Sequence, residues 1–286
     1  MKRFFLITAL SLSLLPLRTT GQSYKGFDFF FNGGMYKGHS RDATYYNGGN
    51  NDIRIGRILD NSILKQEIDR LVAEHSSVIL DSKGVHLEEI PARMHYDWSF
   101  IIGVGFAYRL TPTVSLTGTV GQVKLQTQGT AVFGYNKGVS GNQTADYLHY
   151  PIIGREKRSF LEVGFRYLEE EERTCRWFAE MALQLNSVKI ENADLVVEGQ
   201  PFTMIDYYGG AIYDPTITQT VIDPMLGGVG FGLLAGGGVR IKINQWAALE
   251  PFAQLHYSRF HLQTPMRFHP NLYLGIRIIV RDYLFA

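Results

Sequence analysis

Cysteine is almost absent from the chain, which has a single such residue, Cys175. One thiol cannot form an intramolecular disulfide and cannot build a cysteine metal cluster. The histidines also lack a ligand spacing such as His-Glu-x-x-His, so the sequence predicts no metal site and no cofactor.

Long hydrophobic runs are lacking as well, apart from the first residues of the chain. The longest run after them, over 100–108, is far below the roughly 20 residues that a membrane helix needs.

Charge of one sign is also lacking, because 28 basic residues stand against 27 acidic ones and the formal net charge is +1. Such a balance argues against nucleic acid as a partner.

The first residues have the order of a secretory signal peptide. Two basic residues precede an apolar stretch over 4–15, and Pro16 and small residues then lead to Gly21. We predict a signal peptide over 1–21 and a mature domain over 22–286. Cleavage would remove three of the 28 basic residues, so the mature chain with its 27 acidic residues would be formally −2.

What the sequence has instead is apolar residues at every second position, which places them on one face of a β-strand. From Trp98 to Leu110 the even positions are all apolar or aromatic, whereas the odd positions are mostly small or charged. Segments with this alternation number eight: 26–37, 96–110, 113–127, 158–168, 175–187, 228–243, 246–260 and 270–281. Most have ten or more residues, which suits a tilted crossing of a bilayer.

The connections distinguish a membrane barrel from a soluble sandwich, whose charged face would simply be solvated. Those after even-numbered segments are short: 111–112, 169–173 and 244–245. The long ones all follow odd-numbered segments: 38–95, 128–157 and 188–227. A barrel entered from the periplasm has short turns there and long loops outside. We therefore predict an all-β, antiparallel transmembrane β-barrel of eight strands in the bacterial outer membrane.

Two local features depart from plain alternation. In the third segment the apolar phase moves from Val120 to Val123 after Gly121, which predicts a β-bulge. Within the first exterior loop, residues 60–75 form an amphipathic helical pattern. Its apolar stripe consists of Ile63, Leu64, Ile68, Leu71 and Val72, and Asp60 or Ser62 is expected to cap it. The pattern leaves open whether this helix plugs the barrel or lies outside it.

Charged residues occupy the face of the strands that would line the lumen. An eight-stranded barrel is just wide enough inside for side chains to fill it, so these charges are predicted to form one paired network. Its predicted members are Asp28, Asp97, Arg109, Glu162, Arg166, Arg176, Glu180, Arg240, Lys242, Glu250, Arg277 and Arg281. Such filling favours structural plugging over conduction.

Two further features of the sequence are candidate functional sites. His256 and Ser258 resemble the His-x-Ser spacing of lipid A deacylases, which are also eight-stranded barrels, but the alternation points both residues inward and away from acyl chains. We therefore expect no enzyme. In the third long loop, Tyr207, Tyr208 and Tyr213 are candidates for an interaction surface, because loops on a rigid scaffold often carry function.

The aromatic segment 27–31 followed by Asn32, Gly33 and Gly34, together with the hairpin sequence over 103–112, resembles the PorT-like outer-membrane β-barrel family of Bacteroidota. The resemblance covers roughly 24–286 as an architecture. It implies a small outer-membrane barrel with a role near the type IX secretion machinery, in which the namesake of the family is implicated.

Three hypotheses about function follow. The first is a non-enzymatic barrel that acts as an envelope structural protein, or as an accessory subunit of an outer-membrane complex. The alternatives are a narrow channel or small-solute transporter and a lipid A-modifying enzyme. The expected partners are outer-membrane lipid and other envelope or secretion proteins.

Overall fold

The computed structural model describes residues 26–76, 79–136, 145–170, 174–206, 226–244, 246–262 and 267–281. For Ala145 and Arg281 it describes the backbone alone. The predicted signal peptide and the three loop tyrosines, Tyr207, Tyr208 and Tyr213, lie outside the described residues.

Eleven β-strands, all in antiparallel pairs, dominate the described part of the chain. They are β1 (Phe27–Lys37), β2 (His86–Glu89), β3 (His95–Tyr96), β4 (Ser99–Arg109), β5 (Val114–Asn136), β6 (Ala145–Leu168), β7 (Cys175–Val197), β8 (Gln200–Thr203), β9 (Gly227–Lys242), β10 (Ala247–Arg259) and β11 (Phe268–Arg281). The helices lie in the first exterior loop: α1 (Ser40–Ala43), a 3-10 turn (Thr44–Tyr46), α2 (Ile55–Asp60) and α3 (Ser62–Ser76).

Eight of the strands close into a ring. The neighbours are β5, β4, β1, β11, β10, β9, β7 and β6, and β6 pairs back with β5. Closure gives every one of these strands a partner on both sides, which removes the sheet edges. The eight strands correspond to the eight alternating segments, so the predicted barrel is confirmed. The short strands β2, β3 and β8 add to the exterior ends of β5 and β7.

An apolar belt surrounds the ring. Each barrel strand contributes outward side chains that are 51 to 69% exposed, for example Phe31, Ile102, Val120, Val163, Leu183, Leu233, Leu255 and Ile276. A continuous apolar surface of this kind would be unfavourable in water and is what a lipid-facing barrel presents. The protein therefore spans the bacterial outer membrane. None of the helices in the described ranges has the length and apolar character of a membrane span.

Above the belt, β5, β6 and β7 continue outward and exchange the polarity of their two faces. Their outward positions become polar, as at Lys124 and Lys157, whereas inward positions such as Phe133, Ile152 and Leu195 become apolar and buried. Residues 128–136, 145–157 and 188–197 are thus strand and not the predicted loops 128–157 and 188–227. Outside the membrane the wall faces water, so the apolar side chains turn inward.

The same exchange explains the apparent bulge near Gly121. The pairing of β5 with β6 runs in unbroken register from Val114 to Asn136, so the predicted bulge is wrong. Val123 is apolar because it faces the core of the mouth at this height, and the inward phase itself does not change. A true register shift lies between Arg155 and Glu156, opposite Glu191 of β7.

The first exterior loop fills the mouth of the barrel. Ile58, Ile68 and Val72 from its helices share one buried core with inward residues of the extended wall, such as Phe133 and Leu195. The predicted amphipathic helix is confirmed as α3, and it lies on the inner side of this wall. Its cap is Asn61, and neither Asp60 nor Ser62 as expected. The Asn61 Oδ1 accepts the backbone N–H groups of Ile63 at 3.0 Å and Leu64 at 3.2 Å.

Candidate functional site

The centre of the lumen is a square of four buried charges contributed by four different strands. Arg166 of β6 lies directly opposite Glu180 of β7, and Glu250 of β10 lies directly opposite Arg277 of β11. The two pairs also meet across the lumen. Arg166 contacts Glu180 at 2.8 Å and Glu250 at 3.3 Å, whereas Arg277 contacts Glu250 at 3.0 Å and Glu180 at 3.2 Å. Each guanidinium therefore bridges both carboxylates.

The charges continue from this square toward the periplasmic end. The Arg240 Nε donates to Glu250 at 2.5 Å, and a second nitrogen of Arg240 lies 3.5 Å from Asp28. Asp28 also pairs with the half-buried Arg109 at 2.9 Å. Buried charges of opposite sign thus alternate down the lumen, which offsets part of the cost of removing each from water.

Aromatic rings fill the space around the arginines. The guanidinium of Arg277 lies 4.6 Å from the ring centre of Phe30 and 4.7 Å from that of Phe252. Arg166 lies 5.2 Å from the ring of Phe178. These cation–π contacts occur where water is excluded, so they are stronger than at a surface. Phe30 is buried in the lumen whereas Phe29 and Phe31 are exposed on the outward face, so the first strand is aromatic on both of its faces.

A layer of hydrogen bonds between Glu162, Gln184, His256 and Ser258 lies on the exterior side of the square. The Gln184 amide nitrogen donates to Glu162 at 2.9 Å and lies 2.7 Å from His256 Nδ1, while the Gln184 oxygen accepts from Ser258 at 2.5 Å. Both amide hydrogens are then used, so His256 Nδ1 accepts and its Nε2 carries the proton. The Nε2 faces the Gln254 oxygen at 3.3 Å, and Gln254 donates to Glu180. A continuous series of hydrogen bonds therefore joins this layer to the square.

Glycines of β9 face the large inward residues of β10. Gly232, Gly236 and Gly238 pair directly with Ser258, Gln254 and Phe252. A Cβ atom added at Gly232 would collide with the Ser258 hydroxyl oxygen. These glycines leave room for lumen side chains, which is the role that glycine takes where another group approaches the backbone closely.

Two predicted members of the network, Asp97 and Lys242, lie outside it. Asp97 precedes β4 with an exposed side chain, and Lys242 is exposed at the last residue of β9. Arg176 is half-buried opposite Arg240, and for Arg281 the side chain is not described. At strand ends an inward position no longer points into the lumen, which is why alternation alone misplaces the exposed residues.

Sequence reasoning missed a second buried charge cluster in the mouth. Arg158 has no exposed surface, lies 2.5 Å from Glu156 and 3.7 Å from Asp42, and its guanidinium is 3.7 Å from the ring centre of Phe260. The Tyr46 hydroxyl donates to Glu156 at 2.6 Å. The available signal was the continued alternation of Glu156 and Arg158 with Glu162 and Arg166 on one face of β6. This cluster ties the segment from α1 to the 3-10 turn to the barrel wall.

Two stacked histidines stand beside this cluster at the mouth. The rings of His39 and His269 are 4.7 Å apart and nearly parallel, and His269 Nδ1 is 2.7 Å from Asp42. The His39 Nδ1 accepts the backbone N–H of Arg41, which caps α1. Burial first, and then the neighbouring His269, lowers the pKa of His39 below its ordinary value, although Asp42 opposes them.

Acidification is therefore expected to loosen the mouth segment. A histidine whose pKa is lowered by folding contributes stability that is present above its unfolded pKa and is lost as pH falls below roughly 6.5. Protonation also removes the Nδ1 acceptor that caps α1. Hydrogen exchange of the Arg41, Asp42 and Ala43 amides should accelerate at low pH beyond the intrinsic chemical rate.

The His39→Asn variant is the control for this pH effect, because asparagine keeps a capping acceptor but does not titrate. We expect the hydrogen-exchange protection of the same three amides to depend less on pH in this variant than in the wild type. An equal acceleration in both proteins would contradict a role for His39.

The described residues contain no group of three His, Cys, Asp or Glu side chains arranged to hold a metal ion. Ser258 donates to Gln184 and not to His256. Both residues are fully buried, on the face of β10 opposite to the lipid. The arrangement of these groups is that of a packed polar core.

No protein-family model and no curated protein sequence matches the chain. Several solved structures are similar in shape. Neisserial surface protein A has a TM-score of 0.42 at 10% identity, over 90% of this chain and 97% of that chain. The outer membrane protein OprG from Pseudomonas aeruginosa has a TM-score of 0.36 at 8% identity, over 91% and 98%.

The third structure is Ail, the attachment invasion locus protein of Yersinia pestis, in complex with the heparin analogue sucrose octasulfate. It has a TM-score of 0.31 at 10% identity, over 89% of this chain and 98% of that chain. The strand pairing and the apolar belt of the chain itself establish it as an eight-stranded outer-membrane β-barrel.

Proposed function

We propose that the protein is a non-enzymatic, closed barrel that serves the cell envelope as a structural protein or as an accessory subunit of an outer-membrane complex. The observation that carries this proposal is the double filling of the barrel. The charge square around Glu180 and Glu250 occupies the lumen, and the segment from α1 to the 3-10 turn occupies the mouth.

The exterior wall supports the same proposal. β5, β6 and β7 extend well beyond the apolar belt, and the helices of the first loop brace them from inside. A rigid platform that projects from the membrane is suited to contact with other proteins, because its backbone is already ordered before binding.

As the finer assignment we propose a role near type IX secretion, supported by the resemblance of 27–34 and 103–112 to the PorT-like family.

Affinity purification from a mild detergent, followed by mass spectrometry, tests the accessory role. We expect the mature barrel to recover at least one envelope protein in a fixed ratio, and a deletion strain to show an altered envelope. Recovery of the barrel alone, together with an unchanged envelope in the deletion strain, would overturn the proposal.

Conductance separates this proposal from a channel. In planar bilayers the wild-type barrel is expected to show no discrete conductance steps, because an ion would have to cross the paired charges of Arg166, Glu180, Glu250 and Arg277. Discrete steps that disappear when the protein is heat-denatured would refute the closed barrel.

A Ser258→Ala variant is expected to leave the mass spectrum of cellular lipid A unchanged, and a lost modification would instead indicate an enzyme.

A further inference from the structure

Three lysines lie side by side on the outward face of the barrel. Lys124 of β5 is directly opposite Lys157 of β6, and Lys157 is directly opposite Lys189 of β7. Side chains in such positions have Cβ atoms about 4.5 to 5.5 Å apart, and like charges there repel each other. We call Lys124, Lys157 and Lys189 the lysine row.

Few carboxylates balance this row. Glu191 lies 3.7 Å from Lys124. Within the described part of the chain, no carboxylate forms an ion pair with Lys157 or Lys189. Nearby Arg155 donates to the side-chain oxygen of Gln126. The row thus places three cations beside one paired carboxylate, which calls for an anion from outside the chain.

Cations elsewhere on this rim are held differently. The Lys37 ammonium donates to the Tyr96 carbonyl and lies over the ring of Trp98. The Arg259 guanidinium lies 3.9 Å from the ring centre of Phe231. In the lysine row no such ring contact is present among the described residues, so the charges of Lys157 and Lys189 remain available to a ligand.

The height of the row identifies the source of the anion. Two residues closer to the membrane along each strand, Gln122, Ser159 and Ser187 lie opposite one another. Two residues further in the same direction, Val120, Leu161 and Leu185 also lie opposite one another. The three levels are therefore cationic, hydrogen-bonding and apolar, and each step of two residues is about 7 Å. A lipid has the matching order of anionic headgroup, polar linkage and acyl chain.

We propose that the lysine row binds the phosphate groups of a phosphorylated glycolipid in the outer leaflet. The ammonium groups would pair with phosphate oxygens, the amide of Gln122 and the two serine hydroxyls would donate hydrogen bonds beneath them, and the acyl chains would lie on the apolar level. The lipid would also relieve the repulsion between the lysines and fasten the exterior wall to the membrane surface.

Binding of bisphosphorylated lipid A to the purified barrel in nonionic detergent, followed by native mass spectrometry, tests the proposal. Lys157→Gln/Lys189→Gln is expected to weaken binding on the order of 30-fold, since each lysine near a lipid surface contributes roughly 1 kcal/mol. Lys157→Arg/Lys189→Arg should bind within a few-fold of the wild type. The matched control is Lys83→Gln/Lys242→Gln, which removes two exposed lysines elsewhere and should bind as the wild type does.

Further arms separate the possible sources of phosphate. Binding of dephosphorylated lipid A to the wild type should be as weak as binding of lipid A to the double variant. Inorganic phosphate at the same phosphate concentration should not compete with lipid A for binding to the wild type. Unchanged binding by Lys157→Gln/Lys189→Gln, equal binding of the dephosphorylated lipid, or full competition by inorganic phosphate would each overturn the proposal. Folding of each variant is checked by its heat-modifiable electrophoretic mobility. Should the double variant fail to fold, Lys189→Gln alone is measured and should bind several-fold more weakly.

Discussion

Replacing Glu250 by alanine is expected to lower the free energy of unfolding by about 3 to 5 kcal/mol. Glu250 is fully buried and accepts from Arg166, Arg240 and Arg277. Its removal leaves three arginines to share the remaining carboxylates in a space without bulk water. The cost of burying uncompensated charge is far larger than the net value of the pairs themselves.

The measurement is urea unfolding of the barrel in detergent micelles, followed by tryptophan fluorescence. Trp98 and Trp177 are each about half exposed on the outward face of the barrel, so their emission reports on the lipid-facing environment. The matched control is Glu74→Ala, which removes an exposed carboxylate 2.7 Å from Arg70 and should cost less than about 1 kcal/mol. Equal losses in the two variants would show that the lumen charges are not the network that holds the barrel together.

Replacing Met181 by arginine is expected to cost about 2 to 4 kcal/mol, because a charge at the bilayer midplane must leave water. Met181 is 71% exposed and lies midway along the apolar outward face of β7, between Trp177 and Leu185. In a soluble sandwich the same exposed position would accept arginine with little change. The variant therefore tests the membrane placement itself.

Ser187→Arg is the control for Met181→Arg, since Ser187 lies on the same face of the same strand but above the apolar belt. Near the interface the expected cost is about 0 to 1 kcal/mol. Both variants are unfolded reversibly from liposomes, so that the lipid environment is present in the folded state. A similar cost for Met181→Arg and Ser187→Arg would place the membrane boundary elsewhere.

The candidate site could be predicted in part. Alternation correctly pointed Glu162, Arg166, Glu180, Glu250 and Arg277 inward, because each side-chain direction depends only on its position along its own strand. Their mutual pairing depends on the register of strands that are distant in the chain. No local pattern encodes that register, and so the square of two arginines and two glutamates came only with the fold.

The exterior wall was missed for a different reason. Its strands keep the period of two, but the apolar side chains change from the outward to the inward face where the membrane ends. If apolar side chains are expected only on the outward face, the segments that contain Phe133, Ile152 and Leu195 are assigned to loops. The lysine row was missed with them, since Lys124 and Lys189 become neighbours of Lys157 only through strand pairing.

By itself the sequence determined that eight strands cross a membrane and which of their faces meets lipid. Alternation and the parity of the connection lengths are local properties, and lipid and water impose opposite demands on the two faces of a strand. Only the tertiary structure decided how the lumen charges pair and that the first loop fills the mouth. It also decided that β5, β6 and β7 rise beyond the belt, because each of these features depends on contacts between residues far apart in the chain.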